Sequence, residues 1–175
     1  MAWGKSGTPS TLDSIGDVMT ISDLTVNKFN EFLQHSPYNS SWVNPSFTFN
    51  NDTGSLYALR ANYNGGSDGT SVSQAGIIQD GSGTADDKFI VAYVVAISGE
   101  EKLLISNLVN NGTAGAGNAP NRTETVGKYV PSTLTNTIDR IDSTNGSAGS
   151  YAVSSNLSAL GSDMTPSASI PFAEN

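Results

Sequence analysis

The chain has 175 residues, a formal net charge of −8 and no cysteine, and 14% of its residues are charged. This length fits one domain that removes roughly 70% of its unfolded surface from water. The lack of cysteine excludes disulfides and thiolate metal sites, and an acidic chain without a Lys/Arg cluster is not expected to bind nucleic acid. No apolar run approaches the ~20 residues of a membrane-spanning helix, so no membrane contact is expected either.

Residues 1–17 are small and polar and are interrupted by three glycines and a proline. This composition predicts an extended N-terminal arm. Trp3 is the exception, because a large aromatic side chain either packs on its own domain or inserts into a neighbouring subunit. Both alternatives stay open. The first residues lack the apolar run of a secretory signal, so we expect a protein that is not exported.

A short strand is predicted over residues 18–22, followed by an α-helix over residues 23–35. Ser22 or Asp23 has the side-chain oxygen of a helix N-cap, and Pro37 ends the segment. The apolar residues recur at helical spacing and form one stripe: Val26, Phe29, Phe32 and Leu33.

The rest of the chain reads as strands separated by turns. Antiparallel pairs are predicted between residues 42–49 and 56–62, and between 122–130 and 134–142, with a short edge strand over 72–78. The clearest hairpin is Phe89–Val109, whose tip contains Gly99. Both alternating sets of its first strand are apolar, which predicts a central strand that is covered by other layers on both faces.

Together these segments predict an all-β fold, an antiparallel β-sandwich or jelly roll with one short α-helix near residues 23–35. The predicted domain boundaries are an arm over 1–17, a sandwich over 18–164 and a C-terminal tail over 165–175. The arm and the tail are too polar to form a core alone. Their apolar side chains are therefore predicted to be assembly contacts: Trp3, Ile170 and Phe172.

The residues of the sequence give little support for a catalytic site. His35 is the only histidine, and Glu100 and Glu101 are adjacent and so do not form a pair on one face of a strand. Oxygen-rich turns at residues 64–68 and 80–87 lack the spacing of an EF-hand. We expect no enzyme activity, no metal and no cofactor.

A sugar-binding site is the alternative to a purely structural role. Exposed aromatic rings beside a planar cation are how sandwich modules hold glycans. The sequence offers four such side chains on or near one predicted strand pair: Trp42, Tyr57, Arg60 and Tyr63. Core aromatic residues would give the same pattern, so packing is the competing interpretation.

Several stretches resemble uncharacterised virion-associated proteins of environmental, marine tailed bacteriophages. They are Met-Ala-Trp-Gly-Lys-Ser-Gly-Thr-Pro at residues 1–9, Ser-Asp-Leu-Thr-Val-Asn-Lys-Phe-Asn-Glu-Phe-Leu-Gln-His at 22–35, Glu-Glu-Lys-Leu at 100–103, Thr-Ala-Gly-Ala-Gly-Asn-Ala-Pro at 113–120 and Ser-Asn-Leu-Ser-Ala-Leu-Gly-Ser-Asp at 155–163. The resemblance covers nearly the whole chain and implies a virion context, but it assigns no role to any residue.

The leading hypothesis is therefore a non-enzymatic structural protein of a virus particle, made in the host cytoplasm and located on the virion. It would be a capsid decoration or accessory protein, or a tail or fibre component. Its expected partners are other virion proteins and further copies of itself in a homo-oligomer or lattice. The alternative is a lectin-like, carbohydrate-binding β-sandwich module whose partner is a glycan.

Overall fold

The computed structural model describes residues 3–38, 40, 42–79 and 86–162, and within these ranges every regular element is a β-strand. The strands form two antiparallel sheets, one of nine strands and one of four, which share one hydrophobic core. This arrangement confirms the predicted all-β sandwich.

We number the strands in chain order. The bounds are β1 (Gly4–Lys5), β2 (Ser10–Thr11), β3 (Val18–Ile21), β4 (Phe29–Ser36), β5 (Pro45–Phe49), β6 (Tyr57–Tyr63), β7 (Gly69–Gln74), β8 (Ile77–Ile78), β9 (Lys88–Val95), β10 (Lys102–Asn110), β11 (Asn121–Tyr129), β12 (Ile141–Asn145) and β13 (Asn156–Ser162). The large sheet has the order β1-β13-β4-β9-β10-β11-β6-β7, and β2 pairs with β13 beside β1. The small sheet has the order β3-β12-β5-β8.

The predicted hairpin at Phe89–Val109 is confirmed as β9 and β10, which pair antiparallel at the centre of the large sheet. The expectation that both faces of this hairpin are covered is wrong for the single chain. Residues alternate along both strands, so that one set is buried against the small sheet and the other set is half-buried or exposed. The second layer of the sandwich covers only one side.

The helix predicted over residues 23–35 is wrong. That segment contains strand β4, which pairs with β9 on one side and β13 on the other. The spacing of Phe29, Phe32 and Leu33 imitates a helical stripe. In the strand, however, Phe32 is buried in the core, whereas Phe29 and Leu33 lie on the opposite face. The helical pattern arises because both faces of this strand carry apolar residues.

The two strand pairs predicted over residues 42–62 and 122–142 are also wrong. β5 and β12 pair with each other in the small sheet, while β6 and β11 pair with each other in the large sheet. Alternation locates each strand, but neighbours in sequence are neighbours in a sheet only about two-thirds of the time. Each of these connections instead crosses from one layer to the other.

The N-terminal segment lies along the large sheet. Both β1 and β2 pair with β13, and Gly16 forms an isolated bridge with Tyr151. The carboxylate predicted to cap a helix, Asp23, accepts hydrogen bonds from the backbone N and Oγ1 of Thr8, both at 2.8 Å. These hydrogen bonds also hold the pKa of Asp23 below its usual value.

An aromatic cluster links the two layers. The ring of Phe49 in the small sheet lies 6.0 Å from that of Phe32 and 5.7 Å from that of Tyr129, and the rings of Tyr57 and Tyr129 stack at 4.9 Å. The Tyr57 hydroxyl accepts from the backbone N of Phe49 at 2.9 Å and donates to the carbonyl of Asp52 at 2.8 Å. Phe49 and Tyr57 are therefore joined both by ring packing and by a hydrogen bond.

Alkaline pH is expected to unfold the protein through its buried tyrosines. Burial raises the pKa of Tyr57, Tyr129 and Tyr151 well above the ordinary value of about 10. A raised folded pKa means that the unfolded chain loses these protons first, so the contribution to stability is complete below about pH 10 and is lost as pH rises above it. Thermal unfolding followed by circular dichroism should show a midpoint that falls steadily from pH 10 upward.

Absorbance at 295 nm gives the independent check, since it reports tyrosinate directly. The absorbance of the three core tyrosinates should rise together with the loss of β structure. Tyr38→Phe is the control, because that side chain is 66% exposed. Ionisation of the core tyrosines near pH 10 in a protein that stays folded would contradict the prediction.

Candidate interaction surface

The outer side of the large sheet, which faces away from the small sheet, carries a group of large apolar side chains on its central strands, with Asn107 between Ile105 and Val109. Six large apolar side chains there have exposed fractions between 38% and 58%: Phe89, Tyr93, Leu103, Ile105, Val109 and Val126. They come from three adjacent strands, β9, β10 and β11. Their burial alternates with core residues along each strand, so the pleat itself places them on one side.

The strand register makes these side chains neighbours. Ile105 lies opposite both Tyr93 on β9 and Val126 on β11, and Val109 lies opposite Phe89. Half-buried apolar residues extend the surface: Val91 and Val95 on β9, Phe29 and Leu33 on the flanking β4, and Leu160 on β13. We call this continuous surface, together with Trp3, the apolar face.

The N-terminal segment adds Trp3 to the apolar face. Strand β1 follows Trp3 and pairs with β13, which fixes the segment at this end of the sheet. Trp3 lines an open groove of about 280 Å³ with Phe29, Tyr93, Leu103 and Ile105. It is 45% exposed, so it rests on its own domain and remains available to another molecule.

The area of the apolar face is at the upper end of what a monomer exposes. At about 200 Å² for each aromatic and about 100 Å² for each aliphatic side chain, three aromatic and four aliphatic residues at about half exposure leave roughly 500 Å² in water. The largest apolar patch on a typical monomer is about 300–600 Å². One partner of a standard protein–protein interface contributes about 800 Å², polar area included. The apolar face approaches that size only together with the half-buried residues and the charged rim around it.

Charged residues surround the apolar face and largely pair with one another. Lys128 Nζ lies 2.8 Å from Glu101 Oε2, and His35 Nε2 lies 2.9 Å from Asp87 Oδ1. Two looser pairs complete the rim at 3.5 Å and 3.8 Å: Arg60–Asp68 and Arg122–Glu124. An apolar centre with a polar rim is the usual anatomy of a binding surface.

The rim carries charges of both signs, although the chain as a whole is acidic. Arg60, Arg122 and Lys128 each lie beside an acid in an ion pair. Asp86 and Glu100 add negative charge next to Asp87 and Glu101.

The opposite side of the sandwich has a different character. Positions on the outer side of the small sheet are mostly hydroxyl or acidic residues: Ser46 and Thr144 are half-buried, whereas Thr48 and Asp142 are buried. Val18 at the edge of that sheet is exposed.

Further large apolar side chains are exposed outside the apolar face, among them Ile15, Tyr38, Trp42 and Val72. What distinguishes the apolar face is that six of its exposed members lie on three adjacent strands.

The residues predicted to bind sugar are not brought together. Tyr57 is buried in the core. Arg60 lies on the outer side of β6 beside Asp68, whereas Tyr63, three positions along the strand, lies on the other side. Trp42 is 61% exposed in the segment that leads into β5 of the small sheet.

Of the predicted assembly contacts, Trp3 lies on the apolar face, while Ile170 and Phe172 fall outside the described residues. The residues that form the centre of the face, Leu103 and Ile105, were not predicted as contacts. The sequence does contain a signal for these two residues, because apolar residues on both faces of the hairpin predict a second face that another layer or molecule covers.

No catalytic or metal-binding site is apparent in the part of the chain that the structure describes. No group of three or more His, Asp or Glu side chains there is arranged to hold a metal ion. The described ranges also contain no helix long and apolar enough to cross a membrane. His35, considered for catalysis, pairs with Asp87 at the surface, and both side chains are about half exposed.

No protein-family model matches the sequence, and no curated protein matches it significantly. What the apolar face binds therefore has to be inferred from its own residues.

Two adjacent leucines test whether the apolar face is open in the single chain. Leu104 is 2% exposed in the core, and Leu103 is 52% exposed on the apolar face. Leu104→Ala should lower the free energy of unfolding by about 2–5 kcal/mol, because it leaves a cavity. Leu103→Ala should lower it by less than about 1 kcal/mol, because its side chain is already in water. Urea titration at submicromolar protein is the measurement, and equal losses would mean that the single chain covers both faces.

Proposed function

We propose that this protein is a non-enzymatic structural protein of a virus particle, a capsid decoration or accessory protein or a component of the tail or fibre. The observation that carries the proposal is the apolar face with its rim of ion pairs. Roughly 500 Å² of apolar surface exposed to water favours association, at about 25 cal/mol for each Å² that a partner covers. A protein with such a face is suited to assembly.

The virion context rests on the resemblance of nearly the whole chain to virion-associated proteins of marine tailed phages. The distribution of polarity supports the same function. One side of the large sheet carries the apolar face, which is suited to protein contact, while the outer side of the small sheet carries mostly hydroxyl and acidic residues. A two-layer scaffold of this kind can associate with protein through one side and leave the other at the particle surface.

The lectin-like alternative receives less support from the geometry. A groove of about 290 Å³ does contain polar side chains, including Arg60, Asn62, Asp68 and Glu124. Sugar modules combine such groups with an aromatic ring for stacking, and none lines this groove. The predicted aromatic partners lie in the core, on the opposite side of β6, or on the segment before β5.

Purified particles provide the test. Gradient-purified virions of a phage that encodes this chain should contain the protein at a fixed number of copies per capsid, measured by quantitative mass spectrometry. Absence from the particles would reject the proposal. Recombinant protein added to particles that lack it should sediment with them.

A charge-matched pair of variants shows whether the apolar face is required. Ile105→Asp places a carboxylate at the centre of the face and should abolish co-sedimentation, because an unpaired buried charge is strongly unfavourable. Val18→Asp adds the same charge on the opposite side and should leave co-sedimentation intact. Loss with both variants, or with neither, would show that attachment does not use this face.

A further inference from the structure

We propose that the apolar face is covered by a second copy of this chain, so that two large sheets pack face to face in a two-fold dimer. The inference rests on the proposed function, since it names the first partner of the same surface. In this arrangement the dimer is the unit that joins the particle.

The shape of the face is the first argument. Its residues come from adjacent strands in one pleated layer, so the surface is broad and lacks a deep cleft. A broad sheet face is matched best by another sheet, and stacked sheets interdigitate their side chains at a spacing of about 10 Å. The groove beside Trp3 and Ile105 then accommodates a large side chain of the second copy.

The area is the second argument. Roughly 500 Å² from the half-exposed side chains, together with the half-buried residues and the charged rim around them, approaches the about 800 Å² per partner of a standard interface. Because a two-fold interface uses the same patch on both subunits, one apolar face per chain is sufficient to build it. No second complementary patch is required.

Charge is the third argument, and it distinguishes a second copy from other partners. Two chains of net charge −8 repel each other in most orientations. The rim of the apolar face is the exception, because cations and acids lie side by side there in ion pairs. A strongly basic or acidic partner would be matched by a rim of one sign, whereas a rim that carries both signs can complement itself.

The oligomeric state of the isolated protein tests this directly. Sedimentation velocity and light scattering should show a dimer for the wild type. Ile105→Asp should weaken association by at least roughly a hundredfold, because it sets two carboxylates in the buried centre of the interface. The variant should keep the circular dichroism of the wild type, since Ile105 is 58% exposed in the single chain. Val18→Asp should remain dimeric.

Cross-linking then identifies the face that is used. The chain contains no cysteine, so Ile105→Cys introduces a single reactive thiol at the centre of the apolar face. A bis-maleimide that spans about 10 Å, the spacing of stacked sheets, should join two Ile105→Cys chains. Val18→Cys, on the opposite side, should not be joined. A dimer that cross-links at Val18→Cys and not at Ile105→Cys would overturn the proposed geometry.

The dimer and the virion role can fail separately. A wild-type protein that remains monomeric at about 100 µM, where association stronger than about −5.5 kcal/mol would be detected, would overturn the second-copy proposal. If that monomeric protein were still found in purified particles, the proposed function would stand and the face would belong to another virion protein. A dimer that is absent from particles would support the second-copy proposal and reject the virion role.

Discussion

The central hairpin of the large sheet carries apolar side chains on both faces, and the sandwich has a second layer for only one of them. The small sheet covers the inner set, which includes Ile90, Val94 and Leu104. The outer set is left at the surface. Burying apolar surface is the main favourable contribution to folding and to association alike. The same strands therefore stabilise the fold with one face and favour association with the other.

The position of the N-terminal segment follows from this arrangement. Strands β1 and β2 add to β13, and hydrogen bonds between Thr8 and Asp23 secure the segment. The pairing brings Trp3 against Phe29 at the side of the groove. A segment that looked like a free arm thus extends the large sheet and enlarges the apolar face.

The features predicted correctly from the sequence are those set by local pattern. The hairpin was found because its β-branched run and its turn lie next to each other in the chain. The helix prediction failed because Phe29 and Leu33 belong to one apolar side of β4 and Phe32 to the other, a case that helical spacing imitates. The predicted partners of β5 and β12 are wrong because both strands join the small sheet, and no local signal specifies which sheet a strand joins. Tyr57 fits both a sugar site and core packing in the sequence, because a buried and an exposed tyrosine look alike there, and the structure places it in the core.

The apolar face is held rigid before any partner arrives. Lys102, buried at the start of β10, donates from Nζ to the carbonyl oxygens of Ile97, Glu100 and Leu134 at 2.6, 2.8 and 2.9 Å. The first two contacts close the hairpin turn. The third ties the turn to the crossing segment between β11 and β12.

Loops that must become ordered on binding oppose association through lost conformational entropy. The six most exposed strand residues of the apolar face instead lie on strands that are paired on both sides, β9, β10 and β11. Little backbone entropy would be lost at these positions if a partner covered them. Most of the free energy from burying them would then be available for the proposed association.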